Sequence, residues 1–334
     1  MRRPLISPGG LFRLAVAAAL VGYLLWRSDP QDVWHALSHA STAPLLVAIG
    51  LVLLDRALMA YRWFVLLAPL EGQNLPAFGT ILRIFFVSTF VGTFLPASVG
   101  GDVVRAYSLS NHGVPKADSM ASVFVDRMLG VLSVLLMALV GITLARDLAA
   151  DRSVVLALGF TAAACAVAAV LIFSETADSV AERAIARLPW AGLPRVLGSL
   201  FAAVRRYAAH HGALTNVLVG SLAVQVLRVI QAYYLGVALG VDQPLITYFA
   251  FIPLILLIMF LPITANGIGT SQAAFVWLFS KVGTPPAEAF ALSVLYVALG
   301  IVGNIPGAIF YVRRPSSGTL SRSEDPDGAS VSSL

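Results

Sequence analysis

Runs of about 20 apolar residues, the length a helix needs to cross roughly 30 Å of hydrocarbon, recur near 11–26, 44–68, 123–145, 153–173, 215–239 and 288–312. Within a bilayer every backbone polar group must be satisfied by the chain itself, so runs of this length fold as helices. The alternation of lipid-facing and lumen-facing residues that marks an outer-membrane barrel is absent. The expected fold class is an all-α polytopic membrane protein with about six spanning helices. The first run is short and follows Arg2, Arg3 and Arg13. Arg27, Ser28 and Asp29 after it make no small-residue cleavage site, so a retained span is expected there in place of a signal peptide.

Composition excludes the soluble classes. With 58% hydrophobic and 12% charged residues and a mean hydropathy of +0.86, too little charge remains to clothe a water-facing surface. The net charge of +5 sits in loops and ends, which suits anionic lipid and membrane orientation and not nucleic acid. The single cysteine, Cys165, can form no internal disulfide, so redox chemistry is not expected.

Two stretches break the pattern with one device. Phe94–Arg105 (FLPASVGGDVVR) and Leu261–Gln272 (LPITANGIGTSQ) each place a Leu-Pro step, a few small residues and then a glycine pair inside an apolar region. Proline removes a backbone donor and glycine frees the dihedrals, so in hydrocarbon such breaks survive only where protein or a watery cavity satisfies the peptide groups. After the second break, Thr270–Lys281 would rise only about 18 Å as a helix, too little to cross. Two re-entrant hairpins are therefore expected, near 79–110 and 245–282. Paired breaks in two halves point to a binding site in transporter-like folds.

Positive charge sets the orientation. Arg183, Arg187, Arg195, Arg205 and Arg206 in 174–214, Arg313 and Arg314 after the last span, and Arg2, Arg3 and Arg13 at the start should all be cytoplasmic. Six crossings and two non-crossing hairpins satisfy these placements, with both termini cytoplasmic. The first hairpin then enters from the cytoplasm and the second from the other side, an inverted arrangement of like elements. The expected organisation is one transmembrane domain over 1–314 and a disordered Ser/Pro/Gly/Asp-rich cytoplasmic tail over 315–334. Val180, Ile185 and Leu188 interleave with Arg183 and Arg187, so 174–214 is expected to be an amphipathic cytoplasmic segment or a solvated linker helix.

Ionisable groups inside spans carry the functional signal, because a charge at a helix centre costs roughly 2.5–3.5 kcal/mol on insertion scales and must be compensated. Asp55 and Arg56 fall mid-span, with Arg62 nearer the cytoplasmic end. Ser221, Gln225, Arg228 and Gln231 recur at spacings of four, three and three, one polar stripe on a helix face. A central arginine suits a phosphate, which guanidinium grips in bidentate fashion. The competing reading is an internal clamp, in which Asp55 or Asp102 neutralises Arg228 or Arg56. Asp102 and Arg105 are three apart and face together on a helix. Adjacent Asp126 and Arg127 point to different sides and should pair with other helices, while Arg62 suits a snorkelling anchor. Gly100, Gly101, Gly267 and Gly269 serve either tight helix contact or backbone amides presented at half-helix ends.

Enzyme signatures are weak. His35, His39, His112, His210 and His211 fall in loops without paired carboxylates or cysteines at metal-ligand spacing. No nucleophile elbow or phosphate-binding loop occurs, and Gly267-Ile268-Gly269 lacks a dinucleotide site's strand context. No catalytic residue, metal or cofactor is expected.

Leu95-Pro96 through Gly100-Gly101-Asp102-Val103-Val104-Arg105, Asp126-Arg127 with Gly130, Pro262 through Gly267-Ile268-Gly269 and Gln272, and early Arg62-Trp63 together resemble the lysylphosphatidylglycerol synthase transmembrane-region family, also described as flippase-like integral membrane proteins. The resemblance covers most of 10–312. It implies membrane-lipid translocation and an inner-membrane location, in proteins that stand alone or beside lipid-modifying and glycosyl-transferring enzymes. Where the family often has asparagine before the first Leu-Pro this chain has Gly92 and Thr93, and Gln272 replaces an acidic residue. Nothing after Arg314 resembles a synthase domain, so aminoacyl transfer by this chain is not expected.

The leading expectation is translocation of an anionic phospholipid or lipid-linked intermediate through a polar groove between the hairpins. Expected substrate-binding residues are Arg56, Pro96, Gly100, Gly101, Asp102, Arg105, Gln225, Arg228, Gln231, Pro262, Asn266, Gly267, Gly269 and Gln272. Asp55, Arg62, Asp126 and Arg127 are expected in ion pairs or at the interface. The alternatives are a non-transporting membrane partner of a lipid-modifying or glycosyltransferase enzyme, and a secondary transporter of a small anion.

Overall fold

The computed structural model describes residues 8–70, 75–95, 100–144, 152–173, 193–259 and 267–312. Among them are twelve α-helices and no strand: α1 (Pro8–Arg27), α2 (Pro30–Ser38), α3 (Thr42–Leu67), α4 (Phe78–Phe94), α5 (Gly100–Ser110), α6 (Lys116–Leu144), α7 (Arg152–Phe173), α8 (Leu193–Arg206), α9 (His211–Leu239), α10 (Leu245–Met259), α11 (Thr270–Ser280) and α12 (Pro286–Val312). Four of them, α3, α6, α9 and α12, are long and apolar enough to cross a membrane. Helices α1 and α7 coincide with the first and fourth apolar runs. Pro96, Pro262 and Asn266, the 174–192 stretch with Val180, Arg183, Ile185, Arg187 and Leu188, and the 315–334 tail lie outside the described residues.

The two halves repeat a three-helix unit. In the first, α4 and α5 flank the break at 95–99, and a turn through Gly113 (φ 93°) and Pro115 starts α6. In the second, α10 and α11 flank the other break, and a turn through Gly283 (φ 84°) and Pro285 starts α12. Both turns need a left-handed backbone, which glycine adopts without a Cβ penalty. Each long helix then begins with an amide reaching the proline carbonyl, Ser119 to Pro115 at 2.9 Å and Ala289 to Pro285 at 3.0 Å.

Packing exchanges the halves. Helix α4 lies against α12, and α10 against α6, so each first arm rests on the other half's long helix, while α3 and α9 form the central seam. Small residues permit the approach: a Cβ on Gly303 would stand 2.7 Å from a Val52 methyl, and one on Gly141 2.7 Å from the Ala250 carbonyl oxygen. A Cβ on Gly307 would run into the Phe86 carbonyl. Without a hydrophobic force between helices in lipid, this close contact of backbones is a main source of cohesion.

The helix ends sort into two levels. Leu66 at the end of α3 clusters with Ala121 and Val125 early in α6, Val217 early in α9, and Ala203, Val204 and Tyr207. At the opposite end the Ser41 amide donates to the Ala238 carbonyl at 2.7 Å. Thus α3 runs antiparallel to α6 and α9. Helix α8, the described part of the expected amphipathic segment, buries Ala203 and Val204 at the first level and keeps Arg206 exposed, where it pairs with Asp118 of α6. Tyr207 is fully buried there, and burial pushes its phenol pKa well above the ordinary value. On the other level α2 packs between α1 and the start of α12. His35 lies on α2, not in a loop, its ring stacked on His39; no group of three potential metal ligands exists among the described residues.

Candidate functional site

A cavity of about 410 Å³ opens between α3, α4, α5, α6, α9 and α12. Its polar wall is built from arginines and aspartates placed by four helices, and they form two networks at different depths.

The shallower network starts at Arg62 of α3, five residues before that helix ends. Arg62 pairs with one oxygen of Asp126 on α6 at 2.7 Å, and Arg105 of α5 with the other at 3.2 Å. Arg105 also reaches Asp102 at 3.1 Å, and Asp102 takes Arg127 at 2.6 Å. Arg62 further donates to the Ser221 hydroxyl of α9 at 2.7 Å. The Arg105 guanidinium lies 5.1 Å from the Trp63 ring centre and 5.6 Å from that of Phe85, so its faces meet aromatic surface while its edges hold carboxylates. Arg62, Arg105 and Asp126 are buried, whereas Arg127 is half exposed at the rim.

The deeper network centres on Asp55, seven residues before Arg62 and hence about 10 Å farther along α3. Asp55 holds Arg56 at 2.8 Å, and the Arg56 Nε donates to the Asn304 amide oxygen of α12 at 3.0 Å. Asn304 in turn donates to the Thr93 hydroxyl of α4 at 2.8 Å. Arg228 of α9 approaches the other Asp55 oxygen at 3.4 Å, without hydrogen-bond alignment, and its Nη2 donates to the Met59 sulfur at 3.5 Å. Its guanidinium is therefore held by attraction and not by an aligned carboxylate bond.

The polar stripe of α9 divides between neighbours. Ser221 and Arg228 meet α3, Gln225 donates to Ser133 of α6 at 3.0 Å, and Gln231 donates to the Leu51 carbonyl of α3 at 3.2 Å, outside the cavity. Of the expected binding residues, Arg56, Gly101, Asp102, Arg105, Gln225 and Arg228 come together around the cavity. Gly100 is next to Gly101 but packs on Leu95. Gly267 (φ 74°) and Gly269 (φ 89°) shape the turn before α11, where Gln272 accepts from the Gly269 amide at 2.6 Å. That amide is occupied from within the loop. Ile268 between them does reach the cavity.

Among the residues assigned to ion pairs, Asp126 and Arg127 turn to different partners as adjacency requires, and both also line the cavity. Arg62, placed by the sequence at a snorkelling position, is buried against Asp126. Two contributors were not among the expected site residues: Asn304, and Thr93, noted only as a departure from the family pattern; they tie Arg56 to α12 and α4. The only sequence signal for Asn304 is an amide inside the last apolar run.

Chemically, five guanidinium groups (Arg56, Arg62, Arg105, Arg127 and Arg228) face three carboxylates (Asp55, Asp102 and Asp126), leaving a net charge of +2. Exposed Ile268 and Ile301 stand beside this polar wall. Cationic wall and apolar edge together suit an amphiphile with an anionic head group.

A UPF0104 membrane protein of Methanothermobacter thermautotrophicus is 26% identical to this chain over 336 residues, covering 91% of this chain and 93% of that protein. No solved structure matches the chain. The family described as Lysylphosphatidylglycerol synthase TM region matches residues 10–307. That span takes in both broken helix pairs and every charged residue of the cavity, and the chain belongs to this family.

Proposed function

We propose that the protein moves the head group of an anionic lipid, a phospholipid or a lipid-linked intermediate, across the membrane through the arginine-lined cavity. The observation that supports this best is the pairing of a net +2 polar wall with the exposed apolar edge at Ile268 and Ile301. Guanidinium groups would replace head-group hydration, while acyl chains remain in lipid beside the edge. The two networks, about 10 Å apart along α3, would act as successive stations for the phosphate.

In this reading α1, α3, α6, α7, α9 and α12 cross an inner membrane, with both termini in the cytoplasm. The pairs α4–α5 and α10–α11 are re-entrant hairpins entering from opposite sides. Arg228 and Arg56 contact the phosphate at the deep station and Arg105 at the shallow one, with Asp102 orienting Arg105. The chain acts as a carrier and not as an enzyme, and its transport is downhill, ion-coupled or driven by a partner.

The test is head-group accessibility in proteoliposomes. Protein-dependent exposure of inner-leaflet anionic lipid to a membrane-impermeant reagent is expected. No acceleration for any anionic lipid, from protein that is folded and inserted, would overturn the reading in favour of a partner role for a lipid-modifying enzyme. Counterflow of a small soluble anion without lipid movement would turn it toward a solute carrier.

A further inference from the structure

We infer that the head group this cavity selects is a phosphate monoester, a dianion, in preference to a phosphodiester or an aminoacylated cationic head group; the assignment rests on the lipid reading above. The argument is electrostatic balance in a place where imbalance is costly. A charge in the hydrocarbon region must be compensated, and the three carboxylates leave two of the five guanidinium charges unmatched. Residues 96–99 and 260–266, which lie outside the described residues, contain no ionisable side chain and so add no charge.

A phosphate monoester carries about −1.5 to −2 at pH 7 and offers three acceptor oxygens. Among head groups with a single phosphate, it alone neutralises the excess. A phosphodiester carries one negative charge and leaves one cation unmatched. An aminoacylated phosphodiester with a lysyl group adds positive charge and worsens the imbalance.

Donor geometry agrees with the charge. Arg228 makes no aligned hydrogen bond to a carboxylate, and the buried Nε groups of Arg62 and Arg105 have no hydrogen-bond partner among the described residues. The excess is also divided between depths: Arg56 and Arg228 share Asp55, while Arg62, Arg105 and Arg127 share Asp102 and Asp126. Each network therefore has one cation to spare. A dianion moving between them stays near opposite charge at both.

The shared chemistry, a monoester dianion, could come from a lipid or a soluble ester, and the experiment separates them. The full chain in detergent micelles is titrated with phosphatidic acid, with phosphatidylmethanol, which differs by one methyl and one charge, and with glycerol 3-phosphate. Binding is read from the concentration dependence of the melting temperature. The expected result is a Kd for phosphatidic acid about tenfold or more below that for phosphatidylmethanol, the factor carried by one charge-assisted hydrogen bond. The ratio should fall toward one in Arg228→Gln and persist in Arg228→Lys. It should also fall in Asn304→Asp, which lowers the cavity charge to +1 while giving Arg56 a carboxylate, so the test survives a poorly folded Arg228 variant. Equal affinity for the two lipids in the unmodified protein would overturn the monoester assignment and leave the lipid reading standing. Glycerol 3-phosphate binding as tightly as phosphatidic acid would support the dianion and overturn the lipid source.

Discussion

Arg228 and Asp55 stand 3.4 Å apart on the facing helices α9 and α3, close enough to attract but not aligned to hydrogen-bond, while Asp55 is held firmly by Arg56 at 2.8 Å. The difference matters because a buried ion pair is dangerous to break only when a charge is left stranded. Removing Arg228 leaves Asp55 with Arg56. Removing Asp55 leaves two guanidinium groups facing each other across the seam.

Arg228→Ala is therefore expected to insert and to melt within a few degrees of the unmodified protein, yet to lose lipid binding and translocation. Asp55→Ala is expected to lose roughly 3–5 kcal/mol, the usual result of leaving buried charge unpaired. Melting in detergent and proteoliposome transport, measured on both variants, check the pair. Full transport by the Arg228 variant would remove it from the site.

Asp126 is the hinge of the shallower network, since its two oxygens serve Arg62 and Arg105 on different helices. Asp126→Ala should cost about 3–5 kcal/mol. Deleting both arginines along with it should cost less than the three single losses added together, because the groups act as one unit. Additive melting shifts would mean that the three side chains are independent.

The breaks and the charges were legible in the sequence because both are costly in hydrocarbon: Pro96, the Gly100–Gly101 pair, Arg56 and Arg228 stand out against an apolar background. Partner choice was not legible. Nothing local distinguishes an Arg62 that snorkels from one that reaches Asp126, since the answer depends on how α3 meets α6. Asn304 was missed for a related reason: a neutral amide barely lowers the hydropathy of α12, and its value appears only when Arg56 and Thr93 arrive on either side. The Gly113 and Gly283 turns, each followed two residues later by proline, are a repeat that sequence spacing contains but that becomes meaningful only once the helices on both sides are known.

Glycine 101 separates packing from backbone presentation. A Cβ there would stand 2.9 Å from the Ser88 carbonyl oxygen and 3.3 Å from the Gly92 Cα, so Gly101→Ala must push α5 away from α4. An overpacking loss of about 1–3 kcal/mol is expected. Gly113→Ala meets no atom within 4 Å but sits at φ 93°, and its cost should stay near 1–2 kcal/mol from backbone strain alone. If Gly101→Ala melts normally and still loses lipid binding, the glycine serves the ligand and not the hairpin.

Tyr207 gives a test of the bundle's lower end that leaves the cavity alone. Its ring is fully buried with Val204 and Leu66, and its hydroxyl has no hydrogen-bond partner among the described residues. An unpaired buried hydroxyl costs desolvation without return, so Tyr207→Phe should be neutral or stabilising by up to about 1 kcal/mol. A lower melting temperature would reveal a partner for the hydroxyl in the native membrane.

Orientation can be read with single cysteines once Cys165 is replaced by alanine. His112, in the turn between α5 and α6, and Val282, in the matching turn between α11 and α12, are both exposed. The proposed topology, with six crossings and two re-entrant pairs, would put His112 in the cytoplasm and Val282 on the opposite side. A membrane-impermeant thiol reagent added to intact cells should therefore label Val282→Cys and spare His112→Cys until the membrane is permeabilised. Val282 is the better choice than its neighbour Gly283, whose φ of 84° would strain a cysteine. Labelling of both positions from the same side would mean that one of the broken pairs crosses completely, and the reciprocal packing of α4 on α12 and α10 on α6 would then need a parallel, non-inverted explanation.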